Sequence, residues 1–273
     1  LREQLLLVGF SDGAIVACSQ DGKEMWNWRV AQHHPSMESF GRIDLHPMEP
    51  FLAISWTQNY SSTGVAGKVS ILDLDQMIEV TGWEYSTEHW TMEFSNDGVW
   101  LASSAQDGSV RLWSTGNPDA ALWTDHGVQY NHSNYTGVIT WHHEIRALMS
   151  VGWDGQAIVW DADNGQQMLS FQFTDEGFGA VFTDGSFLVV ASGDASNSAS
   201  GQLEFYDGLN MTQLATWNVP GIPRGFVMDH FGGLIVANHT GSWWVLIPDT
   251  DGDGIIDDND AFPQNPLQWV DTD

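Results

Sequence analysis

The phrase LASSAQDGSVRLW at residues 101–113 constrains this chain most, because it returns elsewhere in degraded form. Residues 99–105 are a short, largely apolar run ending in small side chains. Asp107-Gly108 is a turn signal, and Val110, Leu112 and Trp113 make a second apolar run, so the phrase reads as strand, tight turn, strand. LMSVGWDGQAIVW at 148–160 keeps the interval, with six positions from Asp107 to Trp113 and six from Asp154 to Trp160. LVGFSDGAIVAC at 7–18 repeats it from Asp12, with Cys18 in the tryptophan place. Weaker copies close on Leu72, Tyr206 and Leu246, which makes six in all.

The serine, the Asp-Gly turn, the alternating apolar strand and the closing Trp resemble the WD-repeat β-propeller, over most of residues 1–247. The resemblance implies an all-β β-propeller with six blades in this chain and either six or seven in the full ring. It also implies a hydrogen-bonded tetrad of His, Ser, Asp and Trp that locks a blade. By resemblance Ser103, Asp107 and Trp113 fill three of those places in one blade, with His89, ahead of the strand WTMEFS, as the fourth. Ser150, Asp154 and Trp160 fill them in the next, with no histidine assigned. The other four copies lack the Trp, so their tetrads are expected to be incomplete.

Along the chain, residues 4–30 supply three strands and lack the first strand of a full blade. The second blade covers about 41–85 with a polar insert at 58–67, the third about 88–126 and the fourth about 137–174, near the ~40–45 residues of a propeller repeat. Residues 129–136 read as a polar connection. The fifth blade covers about 178–219 with a Gly/Ser/Asn-rich insert at 193–201, and the sixth offers three strands. The first expected domain is therefore 1–247, with 248–273 as a separate segment. The sequence opens within one repeat and stops within another motif, which reads as a piece of a longer protein.

Charge narrows the partners. Eight Lys plus Arg face 36 Asp plus Glu, a net charge of −28, and removing the acidic segment from Pro248 still leaves −20. Such a field repels phosphate backbones and anionic lipid, so nucleic acid and direct membrane insertion are disfavoured. High ionic strength screens its self-repulsion, which suits a salty, divalent-rich medium. The one cysteine, Cys18, forms no internal disulfide and leaves the redox compartment open.

Residues 249–260, DTDGDGIIDDND, have the spacing of an oxygen-ligand calcium loop. Asp249, Asp251 and Asp253 take positions 1, 3 and 5, Gly254 position 6, the Ile255 carbonyl position 7, Asp257 position 9 and Asp260 position 12, where Asp replaces the usual Glu. Two carboxylates ~4 Å apart repel by about 4 kcal/mol at an effective dielectric near 20, so a cation accounts for six Asp in this loop. No helical pattern flanks it. Asp271 and Asp273 restart the motif, and the segment resembles thrombospondin type 3 repeats in the cysteine-free form of large microbial surface proteins. That resemblance implies calcium as the bound ion, a stiffened linker between domains, and an extracellular or cell-surface setting.

Other constellations are weaker. Adjacent residues on a strand face opposite sides, which disfavours chelation of one ion by His33-His34 or His142-His143, and these histidines read as loop or blade-top positions. Of the 15 Trp, those on expected strands (Trp90, Trp113, Trp160, Trp217) should fill space between blades, whereas Trp56 and Trp153 near strand ends are the candidates for an aromatic binding platform. Asn59, Asn131, Asn134, Asn210 and Asn238 are sequons permitted in a secreted protein. The expected function is a non-catalytic scaffold whose propeller face binds a protein or glycan, in an oligomeric state left open. The competing expectation is a secreted propeller enzyme, either a glycan hydrolase or a quinone-dependent dehydrogenase, whose repeats residues 13–28 also resemble.

Overall fold

The computed structural model describes residues 5–10, 13–19, 22–29, 39–57, 67–114, 124–142, 145–164, 166–173, 175–182, 187–194, 196, 199–208, 210–228, 234–238 and 243–246. Every regular element among them is a β-strand, and no helix there is long and apolar enough to cross a membrane. The strands form six small, separate antiparallel sheets. The calcium-loop residues Asp249, Asp251, Asp253, Ile255, Asp257 and Asp260, with Asp271 and Asp273, lie outside the described residues.

The chain divides into two compact units after Phe173. The first holds four sheets. Sheet one contains β1 (Leu5–Gly9), β2 (Ala14–Ser19) and β3 (Glu24–Arg29). Sheet two contains β4 (Ser39–Leu45), β5 (Phe51–Thr57), β6 (Gly67–Asp73) and β7 (Ile78–Tyr85). Sheet three contains β8 (His89–Phe94), β9 (Trp100–Ala105), β10 (Ser109–Ser114) and β11 (Thr124–Asn131). Sheet four contains β12 (Thr136–Trp141), β13 (Ala147–Gly152), β14 (Gln156–Asp161) and β15 (Gln167–Gln172). The second unit holds β16 (Glu176–Phe182) to β19 (Gln213–Pro220), through β17 (Phe187–Gly193) and β18 (Ser200–Asp207), as one sheet. Its other sheet is β20 (Pro223–Met228), β21 (Leu234–Asn238) and β22 (Trp243–Leu246). The connection expected at 129–136 is shorter than the sequence suggested, because β11 runs on to Asn131 and pairs it with Ser109.

Why the second and third strands read as continuous apolar runs follows from packing. β6 and β13 are buried at every position, because each sheet's two faces are both covered. Leu101 packs with Ala53, Val69 and Ile71 of sheet two, while its neighbour Ala102 packs with Ile139, Leu148 and Trp160 of sheet four. Trp113 and Leu112 divide in the same way, since successive strand residues point to opposite faces. Sheets one and two meet over Ile15, Trp28, Leu52 and Trp56. In the second unit Val189, Ala191 and Leu203 meet Val236. The fourth strands are edges and read differently: β15 and β19 are exposed along most of their length.

The first strands are edges too, and on β8 and β12 one outward N–H is received by a carboxylate of the neighbouring sheet. Ser95 N–H and His142 N–H pair inward to Trp100 O and Ala147 O, so the preceding residues Phe94 and Trp141 point theirs away from their own sheets. Asp44 Oδ2 on β4 accepts the N–H of Phe94 on β8 at 2.6 Å. Glu93 Oε1 on β8 accepts that of Trp141 on β12 at 3.4 Å, and Trp141 Nε1 donates to the Glu93 carbonyl at 2.9 Å. Burial, opposed by N–H bonds from Phe94 and Leu45, raises Asp44 to about 6. Burial and then the Asp44 charge raise Glu93 to about 8, against the pull of Trp141 and Thr140.

The folded chain therefore keeps a proton on Glu93 that the unfolded chain releases near its ordinary value of 4.5, so stability falls as pH rises toward about 8. Each pKa unit corresponds to about 1.4 kcal/mol. Thermal melts between about pH 6 and about pH 8 should show declining stability in the native chain. They should show a flatter profile in Glu93→Gln, which keeps the acceptor for Trp141 and loses the charge. Parallel profiles would remove the carboxyl pair as the cause.

Candidate functional site

The face built by the β9–β10 and β13–β14 turns and by the connections into β8 and β12 gathers the sequence-nominated residues of sheets three and four. His89 is fully buried on β8, and its Nδ1 lies 2.7 Å from Ser103 Oγ on β9. The fully buried Trp113 ring stands 6.1 Å from the His89 ring at 54°. Asp107 Oδ1 accepts the N–H of Ser109 within its own turn, and the Asp107 N–H donates to Thr87 Oγ1.

Sheet four carries a histidine that sequence spacing missed. His132 Nδ1 lies 2.9 Å from Asp154 Oδ1, and His132 Nε2 lies 2.9 Å from Ser150 Oγ. A carboxylate can only accept, so Nδ1 carries the proton and Nε2 accepts from the serine hydroxyl. Asp154 also accepts the N–H groups of Ser133 and Gln156. Burial lowers the imidazole below its ordinary 6.5 despite Asp154, so His132 is neutral at pH 7. Burial pushes Asp154 upward, but the bonds from His132, Ser133 and Gln156 hold its carboxyl below the usual range. Both shifts make the folded state resist protonation, so this lock loses stability as pH falls. The signal for His132 was hidden because it precedes its serine by 18 positions, whereas His89 precedes Ser103 by 14. Trp160 lies in the core between sheets three and four.

Three aromatic rings meet on this face. Trp90 and Tyr135 have centroids 5.1 Å apart, Tyr135 and Trp153 5.1 Å, and Trp90 and Trp153 5.8 Å, with planes tilted by 63°, 66° and 54°. Trp90 was expected to fill space between sheets. It instead falls where the β8–β9 register shifts between His89 and Thr91, and such a bulge re-aims a side chain. Trp153 is half-buried, and its backbone N–H donates to Tyr135 O at 2.8 Å. The second platform candidate, Trp56, is fully buried in the core with Nε1 donating to Ser70 Oγ, so it is no binding surface. Trp217, expected in the interior, is 48% exposed on the outer strand β19.

The connection bearing Tyr135 is fixed at both ends. Gly108 O accepts the His132 N–H at 2.8 Å and Thr136 Oγ1–H at 2.7 Å. Gly108 itself has φ 85°, and a Cβ there would strike the carbonyls of His132 and Asn134. A Cβ on Gly152 would strike the His132 ring and the Asp154 carboxylate.

Elsewhere in the first unit, a cavity of about 220 Å³ lies among Ser95, Asp97, Trp141, His142 and Arg146. It is smaller than the ~300 Å³ lower bound of ordinary ligand sites. Arg146 at its rim is neutralised by Asp97 at 2.9 Å and Asp163 at 3.1 Å, so the cavity offers no free charge to an anion. In the second unit, where Tyr206 takes the tryptophan place of its repeat, Ser192 Oγ and Tyr206 Oη both donate to the buried Glu204, at 2.9 and 2.8 Å. That polar lock has no counterpart in the tetrad pattern. The Asn238 sequon is buried with its amide donating to Pro220 O, so it is closed to glycosylation in the folded chain. Among the described residues no three His, Cys, Asp or Glu side chains cluster as metal ligands. His33, His34 and His143 lie outside those residues.

Comparison with known proteins places a WD repeat on this site. The family described as WD domain, G-beta repeat, matches residues 84–114, from the end of β7 through β10. The WD repeat-containing protein WDS homolog of Arabidopsis thaliana is 27% identical over 114 residues, covering 40% of this chain and 21% of its own length. The 77 kDa echinoderm microtubule-associated protein of Strongylocentrotus purpuratus is 23% identical over 179 residues, 63% of this chain and 25% of its own. The matched parts thus span about a fifth to a quarter of these relatives. The chain carries a WD40 repeat in a propeller-like all-β fold.

Removing the centre of the lock gives a direct test of its role. His132→Ala strips two partners from buried polar groups, and urea unfolding should register a loss of about 1–3 kcal/mol. Gly152→Ala, which meets the same ring and carboxylate, should lose a similar amount. Stability unchanged in both would mean that the connection is held by other contacts.

Proposed function

We propose that this chain is a non-catalytic protein-interaction scaffold that presents the Trp90–Tyr135–Trp153 face to a partner. The observation that carries this reading is the aromatic group itself: three large rings, partly exposed, on a connection held by hydrogen bonds at both ends. Trp and Tyr dominate binding hot spots because they bury much area while freezing few torsions. The similarity to WD-repeat proteins supports the same class of function. The reading extends to a closed ring of six or seven blades. It takes residues 249–260 as a calcium loop that stiffens a linker to further domains, in an extracellular or cell-surface protein. Supporting the last two are the ligand spacing from Asp249 to Asp260 and a net charge of −28, which divalent-rich media screen.

Two experiments test it. Affinity capture from the source cells' surface and secreted fractions should retain a defined protein set, and Trp90→Ala combined with Trp153→Ala should release it without altering the melting temperature. Retention of the same set by the variant would move the interaction off this face. Calorimetry with calcium should give binding that Asp253→Ala largely abolishes, and equal binding by both chains would remove the loop assignment.

A further inference from the structure

The chemistry of the partner can be narrowed, an inference that rests on the scaffold reading above. The three rings stand 5.1 to 5.8 Å from one another, so they fill the centre of their own cluster. A cage for a cation needs rings splayed around a vacancy, with the charge within about 6 Å of each centroid. This cluster has no such vacancy, and a ligand must lie against its outward surfaces. Tyr135 is 36% exposed there, with Trp90 and Trp153 half-buried beside it.

Charge on the same segments has one sign. Glu88 precedes Trp90 by two residues, Asp107 is exposed in the β9–β10 turn, and Asp154 lies next to Trp153. No Lys or Arg occurs within residues 86–91, 105–109, 132–137 or 150–156, which form the face. The nearest cations in sequence are engaged elsewhere. Arg111 lies 4.4 Å over the Tyr85 ring, and Arg146 is held between Asp97 and Asp163. Asp154 is already bonded to His132, Ser133 and Gln156, but a neutral apolar ligand would leave Glu88 and Asp107 without a counter-charge, and an acidic one would be repelled by all three. An arginine satisfies both features, because its planar guanidinium stacks on indole and phenol faces while its fork of donors pairs with a carboxylate.

We infer that the Trp90–Tyr135–Trp153 cluster, with Glu88 and Asp107 at its margin, docks an arginine-bearing basic segment of a partner polypeptide. The rigidity of the site favours this, since Tyr135 and Trp153 are joined by a backbone hydrogen bond and little ordering remains to be done on binding.

The test is a fluorescence-anisotropy titration of the whole chain with a short labelled Arg/Gly peptide at about 150 mM salt, where long-range attraction to the acidic surface is screened. Control ligands are a Lys/Gly peptide, an acidic peptide and a neutral oligosaccharide. The arginine peptide should bind most tightly, and Tyr135→Ala, which sits outside the strands, should weaken it about tenfold. Glu88→Gln should weaken it by a few-fold, and Trp217→Ala on the outer strand of the second unit should leave it unchanged. Melting temperatures of the three variants separate lost contacts from unfolding. Equal binding of arginine peptide by the native chain and Tyr135→Ala would overturn the inference, as would preference for the acidic peptide or the oligosaccharide. If capture of partners still depends on Trp90 and Trp153 while the arginine peptide fails to bind, the face is an interaction surface and only its basic ligand is refuted.

Discussion

Burial of both faces of the middle strands is the constraint on which the rest of the first unit depends. A sheet covered on one side can alternate apolar and polar residues, and its edges can face water. Here Leu101 and Ala102, neighbours on β9, belong to different cores, one shared with sheet two and one with sheet four. No position on such a strand is spare, and buried serines pair where they can, whereas Ser109 Oγ, Trp113 Nε1 and Trp160 Nε1 have no hydrogen-bond partner among the described residues. Ser103, Ser104 and Ser150 are fully buried, and each is hydrogen-bonded to a side chain of the adjoining strand or connection.

The same pressure falls on the backbone of the first strands. Phe94 and Trp141 each direct an N–H away from their sheets, and in each case a carboxylate on the preceding first strand receives it. An acid is a strong acceptor for this purpose but carries a charge into a half-buried place. The two sites resolve that conflict unequally: Asp44 titrates near 6 and Glu93 near 8, so that around neutrality one proton is kept between them. A pair of carboxyls with separated pKa values is often an acid–base couple. In this chain both are occupied as backbone acceptors, and the cavity of the same unit is lined by other residues, which places them in the architecture of the sheet-to-sheet seam.

Much of this architecture was legible in the sequence, and the parts that were not share a cause. The Asp-Gly turns and the apolar runs on either side gave the strands, because turn chemistry and periodicity are local. The three-stranded first and last sheets were visible for the same reason. Trp90 was misplaced because a bulge shifts which face a side chain takes and no local signal marks one between His89 and Thr91, while Trp56, near the end of β5, is covered by Trp28 of the adjoining sheet. His132 was passed over because four extra residues separate it from its serine relative to His89. Glu204 was invisible as a lock because it answers a Tyr in the tryptophan place, and only the pairing of β17 with β18 sets Ser192 and Tyr206 on either side of it.

The polar lock and the aromatic face are mechanically one object. His132 anchors to Ser150 and Asp154 in sheet four, while its own N–H and the Thr136 hydroxyl close on Gly108 in sheet three. Tyr135 lies between those two anchors, and Trp153 is the residue just before Asp154, so the bonds that fix the lock also fix two of the three rings. A side chain held in one place before binding has little conformational freedom left to lose, and its contacts then appear more fully as affinity. The glycines at 108 and 152 make this possible by admitting the connection where any Cβ would collide with it. The local demand for a satisfied, close-fitting turn is thus what converts a buried stabilising network into an exposed and rigid surface.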